Sequence, residues 1–147
     1  MIEIAQFGAG RIGRIHAANL AASGSAKLRY VIDTHRESAE QLARMYGAKV
    51  VDTKTALADP KVKAVVIASS TDTHADLCIL AAKAGKAIFC EKPIDLSIAR
   101  VDACLKAVNA AKVPMFVGFN RRFDPSFSSL HARLRAGEIG DVEQVIV

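Results

Sequence analysis

The stretch Ile2-Glu-Ile-Ala-Gln-Phe-Gly-Ala-Gly-Arg-Ile-Gly13 decides the fold of this chain. Its first half is an apolar run typical of a short buried strand, and its second half carries a G-x-G-x-x-G pattern that opens a helix. Gly8 permits the tight turn after the strand because it has no Cβ. In such a turn, Gly10 lets the backbone lie close to a diphosphate, and Gly13 lets the helix pack tightly on the strand.

A G-x-G-x-x-G pattern alone is weak evidence, but here it has the context that a dinucleotide site requires. The amides near Arg11 and Ile12 are expected at the positive end of the helix dipole, where a pyrophosphate can bind. Asp33 follows about twenty residues later, at the end of a second apolar run, where its carboxylate can accept hydrogen bonds from ribose hydroxyls. This favours NAD over NADP, although the neighbouring His35 and Arg36 keep NADP open.

Composition limits the class of protein. The chain has 147 residues, of which 51% are hydrophobic and 24% charged, so it can bury the core of one ordinary domain and is not disordered. We expect a cytoplasmic protein, since no apolar run approaches a membrane span and the N-terminus lacks a secretory layout. Three cysteines without C-x-x-C spacing indicate reduced, mostly buried thiols and no metal site.

The positive charge raises the alternative of nucleic-acid binding. The formal net charge is +5 and the pI is near 9.3. However, the basic residues are scattered and no aromatic residues are interleaved with a basic stripe. A mildly positive field attracts dinucleotide phosphates equally well, so nucleic-acid binding stays a minor alternative.

Strand-like and helical patterns alternate along nearly the whole chain. We predict strands over 2–7, 27–33, 48–51, 64–68, 87–90 and 115–119. Capping boxes at Thr34-His-Arg-Glu37 and Thr73-His-Ala-Asp76 predict two helix starts, and Asp124-Pro125 predicts a third. The fold class is therefore α/β, a Rossmann-type doubly wound and mainly parallel sheet with helices on both faces.

Ser69-Ser-Thr-Asp-Thr-His74 follows the fourth strand, which in the usual strand order neighbours the first. We therefore expect Ser69, Ser70 and Thr71 to face the turn formed by residues 8–13, here called the glycine turn. There they would contact the diphosphate and ribose of a cofactor. For His74, a local packing or capping role is about as likely as cofactor contact.

Glu91-Lys92-Pro93 is unusual because charged residues that are poor strand formers end an apolar strand at the ligand edge. A lysine there can donate a hydrogen bond to a substrate hydroxyl and stabilise alkoxide character as hydride leaves. By spacing alone, a solvated surface pair is the favoured interpretation.

The motifs occur together in one order: Gly8-Ala-Gly-Arg-Ile-Gly13, Asp33, Ala68-Ser-Ser-Thr-Asp-Thr-His74, Glu91-Lys-Pro93 and Gly118-Phe-Asn-Arg-Arg-Phe-Asp124. In this combination the chain resembles the cofactor domain of the Gfo/Idh/MocA oxidoreductases, most closely their inositol dehydrogenases. The last two motifs are far more specific than the glycine turn. The resemblance implies NAD-dependent oxidation of a secondary alcohol on a cyclic polyol to the ketone, with a small polyol as substrate.

The same resemblance assigns roles to residues. Lys92 is the catalytic lysine beside the nicotinamide and the reacting hydroxyl, and Glu91 and Lys92 line the nicotinamide end of the cofactor site. Arg121 lies near the substrate pocket. The resemblance also allows a cis Lys92–Pro93 bond, and it implies no metal.

Family members carry a second domain, which supplies an Asp and a His as acid/base partners and usually forms the oligomer. Here residues 1–120 are expected to form the dinucleotide-binding Rossmann domain. Residues 121–147 are expected to be a connecting helix and the first strand of a missing substrate domain, or else 140–147 adds an edge strand. We therefore expect a fragment that holds NAD but turns over poorly, from a parent that is a homo-oligomer. The alternatives are a non-catalytic NAD-binding module or regulator, and a scaffold that has lost cofactor binding.

Overall fold

Six parallel strands form one sheet in the computed structural model, which describes residues 1–146. The strands are β1 (Ile2–Phe7), β2 (Ala26–Ile32), β3 (Lys49–Val50), β4 (Val62–Ile67), β5 (Ala87–Cys90) and β6 (Met115–Val117). Their order is β3-β2-β1-β4-β5-β6, and every neighbouring pair is parallel. The predicted doubly wound Rossmann-type sheet is confirmed.

Six helices connect and flank the strands within the described residues. They are α1 (Arg11–Ala22), α2 (Arg36–Tyr46), α3 (Thr53–Ala58), α4 (Thr71–Lys83), α5 (Ile98–Ala111) and α6 (Pro125–Arg135). Because crossovers between parallel strands are right-handed, α1 and α2 lie on one face of the sheet, and α4 and α5 lie on the other. None of the helices within residues 1–146 is long and apolar enough to cross a membrane.

The central strand β1 is buried on both faces, which is why its sequence is apolar without strict alternation. Its Ala5 and Phe7 belong to the larger core cluster, which packs against α4 and α5. On the opposite face, Ile4 packs with Val66 and Ala68 near α1. The three cysteines Cys78, Cys90 and Cys104 are buried free thiols, as predicted.

The chain leaves β1 and β4 in opposite directions, and this creates a crevice at their carboxyl ends. Phe7 and Ile67 are paired in register, and the Ala68 amide donates to the Phe7 carbonyl at 2.8 Å. The glycine turn after β1 and the Ser69 segment after β4 are therefore neighbours, as predicted. Ligands of open α/β sheets bind at such a switch point.

Two predicted helix starts are wrong by one to three residues. The N-cap of α2 is His35 rather than Thr34, and its Nδ1 accepts a hydrogen bond from the Ser38 amide. The helix α4 begins at Thr71 with Ser70 as N-cap, so Thr73 lies inside the first turn. The helix α2 thus begins one residue later than predicted, because the His35 side chain supplies the cap. The helix α4 begins three residues earlier than predicted, closer to the end of β4.

The region after β6 consists of a 3₁₀ turn (Asn120–Phe123) and α6. Asp124 caps α6 as predicted, accepting from the amides of Ser126 and Phe127. Within the described part of the 140–147 run, residues 140–146 form no strand and extend none of the sheet edges. The alternative of an added edge strand on this sheet is therefore wrong for these residues, whereas the first strand of a substrate domain stays a prediction. Val147 lies outside the described residues.

Candidate functional site

The glycine turn is shaped by two positions that have no room for a side chain. Gly8 has a φ of +101°, and a Cβ there would overlap the Ala68 carbonyl and lie 2.7 Å from the Ser69 amide nitrogen. A Cβ on Gly13 would overlap the Gly8 carbonyl oxygen. Gly8 therefore allows the close approach of β1 to the end of β4, and Gly13 allows α1 to pack directly on the turn.

The side chain of Gln6 holds the glycine turn in place through hydrogen bonds, a role that the sequence did not reveal. Its fully buried side-chain amide donates to the carbonyls of Gly8 and Gly13, both at 2.9 Å. The sequence did contain one signal for this role: Gln6 is an uncharged polar residue within an otherwise apolar buried strand. Such a side chain must find hydrogen-bond partners in the interior. Gln6 thus fixes the position of the first turn of α1.

The N-terminus of α1 is open to solvent at the crevice. Gly10 is the N-cap, it has no side chain to bond the helix, and nothing lies within 4 Å of its ideal Cβ position. The first helical bond runs from the Arg14 amide to the Gly10 carbonyl. The amides of Arg11 and Ile12 are consequently left without intrahelical acceptors, which is the feature that lets a helix N-terminus bind an anion.

Asp33 lies directly after β2 and has two backbone partners. One carboxylate oxygen accepts from the Ala9 amide at 2.6 Å, and the other accepts from the His35 amide at 2.7 Å. The carboxylate therefore ties the glycine turn to the end of β2. Each oxygen keeps a further lone pair, so Asp33 can still accept from a hydroxyl in the crevice.

A cleft of about 650 Å³ runs from the glycine turn across the ends of β2 and β3. Gly8, Asp33, Ser69 and Ser70 line it, as the sequence led us to expect. Its far end is formed by residues 50–53, which sequence reasoning did not single out. The short strand β3 gives a weak sequence signal, and only the sheet order shows that it lies beside β2.

The serine and threonine side chains after β4 form a local network. The Ser69 and Thr73 hydroxyls are hydrogen-bonded at 2.7 Å, and the Thr73 hydroxyl donates to the Ser70 carbonyl. Ser70 is exposed as the N-cap of α4, and Thr71 is its first residue. The N-terminus of α4 thus lies opposite the glycine turn and presents further amides to the crevice.

His74 does not lie among the exposed groups of the crevice. It is 1% exposed, its Nδ1 donates to the Pro93 carbonyl at 2.8 Å, and its Nε2 donates to the Ser69 carbonyl at 3.1 Å. Burial lowers the pKa of His74, because it disfavours the charged form of the ring. The Cys90 side chain and the two carbonyls outweigh burial and raise the pKa of His74 to about 9. Both ring nitrogens are therefore occupied, which favours the packing alternative for His74 over direct cofactor contact.

Replacing His74 with glutamine is expected to reduce stability in a pH-dependent way. Because the pKa lies above the ordinary histidine value of 6.5, the contribution is fully present below pH 6.5 and is lost as the pH rises through about 9. The difference in free energy of unfolding between wild type and His74→Gln should be on the order of 1–3 kcal/mol at pH 6. Urea unfolding between pH 6 and pH 10 measures it. A difference that stays constant over this range would contradict a charged His74.

Glu91 faces α1 rather than open solvent. Its Oε1 is 2.7 Å from Nε2 of His16, and both side chains are about one-fifth exposed. Its Oε2 accepts from the Lys92 amide at 3.2 Å. Gly118 leaves room for the carboxylate, because a Cβ there would lie 3.3 Å from Oε1.

His16 escaped sequence reasoning because its partner lies 75 residues away along the chain. Lys92, the residue after Glu91, is exposed at the carboxyl end of β5, and the Lys92–Pro93 bond is cis.

Arg121 lies in the 3₁₀ turn, 3.9 Å from the Asp124 carboxylate and over the Phe127 ring. Within residues 1–146, these contacts bring Arg121 toward α6 and not toward Lys92.

The sheet order and the glycine turn at the switch point place the chain among Rossmann-type dinucleotide-binding domains. It belongs to the Gfo/Idh/MocA oxidoreductase family, whose model, described as an oxidoreductase family with an NAD-binding Rossmann fold, matches residues 2–119.

Known relatives support this assignment. An inositol 2-dehydrogenase of Rhizobium meliloti is 48% identical over 99% of this chain and 44% of its own length. A crystal structure of a myo-inositol dehydrogenase from Corynebacterium glutamicum has a TM-score of 0.87 and 43% identity, covering 98% of this chain and 44% of that one. A scyllo-inositol dehydrogenase from Lactobacillus casei, solved with bound NAD(H) and scyllo-inositol, has a TM-score of 0.88 and 30% identity, with 96% and 43% covered. This chain therefore spans less than half the length of these relatives.

Proposed function

We propose that this chain is the cofactor-binding half of an NAD-dependent dehydrogenase that oxidises a secondary alcohol on a cyclic polyol to the ketone. One observation carries the proposal: the glycine turn, Asp33 and the open N-terminus of α1 meet at the switch point of the sheet. A dinucleotide needs these three features in one place.

The residues present fit the dinucleotide. The open space at Gly10 and the free amides of the first turn of α1 suit a diphosphate. The cleft beside Asp33 suits an adenosine, because it combines apolar walls such as Val50 and Val51 with a carboxylate for the ribose. The donors and acceptors thus match the two halves of an adenosine diphosphate.

NAD is preferred over NADP in this proposal. The Asp33 carboxylate would repel a 2′-phosphate, and its position is fixed by two backbone amides. Two basic residues that follow Asp33 are the candidates for binding that phosphate. The His35 ring caps α2. Arg36 lines the cleft and pairs with Glu40 at 2.8 Å, but its side chain is 86% exposed, so this surface pair holds the guanidinium only weakly. The proposed preference for NAD therefore rests on Asp33.

Lys92 is proposed as the catalytic residue of this half. When bound, the cofactor accepts the hydride from the alcohol carbon. The Lys92 ammonium can donate a hydrogen bond to the substrate oxygen and stabilise the negative charge that develops there. The proton of the hydroxyl would go to an acid/base group, which the family resemblance assigns to a second domain.

The substrate class rests on the relatives, several of which are named as dehydrogenases of myo-inositol or scyllo-inositol. A cyclic polyol is therefore the proposed substrate, and Arg121 remains a proposed neighbour of its pocket. A second candidate function is an NAD-binding module without turnover, because a Rossmann fold provides cofactor binding without fixing the chemistry.

A chimera tests the catalytic proposal. This chain, fused to the remaining part of the Rhizobium meliloti inositol 2-dehydrogenase, is expected to reduce NAD with myo-inositol as substrate. Lys92→Ala should lower kcat by about 10²- to 10⁴-fold, because general acid–base and electrostatic assistance at the reacting oxygen is lost. The production of NADH at 340 nm measures this rate.

Lys106→Ala is the matched control, because Lys106 is an exposed lysine on α5. Its chimera should retain the rate of the parent chimera. If Lys92→Ala left kcat unchanged, the role of Lys92 would be refuted. A folded chimera that binds NADH but never turns over would favour the binding module instead.

A further inference from the structure

Two histidines contact the loop that carries Lys92, and they approach it from opposite faces of the sheet. His16 lies on α1, three residues after Gly13, and His74 lies on α4, three residues after Thr71. These two helices begin at the switch point, after β1 and β4. Both histidines lie in the N-terminal half of their helix and contact the segment 91–93, where the chain leaves β5.

On the α1 face, His16 fixes the residue before Lys92. Its Nε2 donates to Oε1 of Glu91 at 2.7 Å, and the other carboxylate oxygen of Glu91 accepts from the Lys92 amide. The His16 ring also packs edge-on against Phe89, with 4.9 Å between the ring centroids. A side chain held by both a hydrogen bond and an aromatic contact keeps one orientation.

On the α4 face, His74 fixes the residue after Lys92. It donates to the Pro93 carbonyl from a buried position, while its other nitrogen donates to the Ser69 carbonyl. His74 thus joins the Lys92 loop to the segment that faces the glycine turn. The exposed Lys92 lies between two anchored neighbours.

We propose that His16 and His74 are positioning residues, a histidine clamp that holds the loop 91–93 at the nicotinamide end of the cofactor. This inference rests on the proposed function. The adenosine cleft extends over β2 and β3 on one side of the glycine turn. The other half of a dinucleotide must extend to the opposite side, over the ends of β4 and β5. Because the clamp orders the loop before the nicotinamide binds, cofactor binding does not incur the entropic cost of ordering the loop.

Comparing NADH with ADP-ribose tests the clamp on this 147-residue chain, because ADP-ribose lacks the nicotinamide. His16→Phe keeps a ring against Phe89 but removes the donor to Glu91. NADH affinity should fall by about five- to ten-fold, as expected for a lost hydrogen bond to a charged group. ADP-ribose affinity should change by less than about two-fold. His16→Gln restores a donor and should recover part of the loss for NADH.

His131→Phe is the matched control, because it makes the same change on the exposed helix α6. It should alter neither affinity. Unchanged NADH affinity in His16→Phe, or equal losses for both ligands, would overturn the clamp. Equal binding of NADH and ADP-ribose by the wild-type chain would also overturn it, while leaving the cofactor site in place. Failure of the wild-type chain to bind either ligand would refute the proposed function itself.

Discussion

Gly13→Ala is expected to lower the free energy of unfolding by about 3–5 kcal/mol, and the unfolding midpoint by about 10 °C. Helix propensity alone predicts the opposite, since alanine is favoured over glycine by about 1 kcal/mol inside a helix. In the structure the substitution is destabilising, because the new Cβ would overlap the Gly8 carbonyl oxygen and lie 3.0 Å from the Gln6 side-chain nitrogen. These atoms cannot easily move apart, because Gln6 bonds both glycine carbonyls.

Gly10→Ala is the control from the same motif. Gly10 has a φ of −73°, and a Cβ there meets nothing within 4 Å. Stability should therefore change by less than about 0.5 kcal/mol, while NADH affinity falls because the methyl group occupies the space proposed for the diphosphate. Thermal unfolding followed by circular dichroism measures both variants. A Gly13→Ala protein that unfolds at the wild-type temperature would contradict the packing described for the turn.

Asp33→Ala is expected to reduce NADH affinity by about 10- to 100-fold, because ribose hydroxyls lose a charged acceptor and the turn loses its tie to the Ala9 amide. NADPH should be affected much less, since removing the carboxylate also removes its repulsion of the 2′-phosphate. The ratio of the two affinities is the diagnostic quantity. If the substitution disordered the turn, the affinities for both cofactors would fall by the same factor, and their ratio would stay unchanged.

Calorimetric titration of the variant with NADH and NADPH measures the ratio. Asp102→Ala on the exposed side of α5 is the control, and it should leave both affinities unchanged. If Asp33→Ala kept the wild-type preference between the two cofactors, Asp33 would not be the group that selects NAD.

The fold could be predicted from the sequence because its signals are local. The β-branched runs, the helix-forming segments between them and the glycine pattern each depend on neighbours within a few residues. The position of β4 beside β1 followed from the usual strand order and is confirmed. The Asp124-Pro125 start of α6 is confirmed for the same reason, since a cap and an N1 proline act within one turn.

The parts that sequence reasoning missed depend on tertiary contacts. The partner of His16 is Glu91, and that of Gln6 is the folded turn itself, so neither role can be read from a local pattern. The sequence left His74 open between packing and cofactor contact, and its burial, which favours packing, depends on the whole fold. The strand expected after Gly140 has a β-like sequence but no partner among residues 1–146, and a strand requires a partner for its backbone groups.

Titration of the wild-type 147-residue chain with NADH and, separately, with NADPH tests the central claim most directly. The account predicts saturable binding of NADH to one site and clearly weaker binding of NADPH. Absence of NADH binding, or a preference for NADPH, would contradict the claim that the glycine turn and Asp33 form an NAD site.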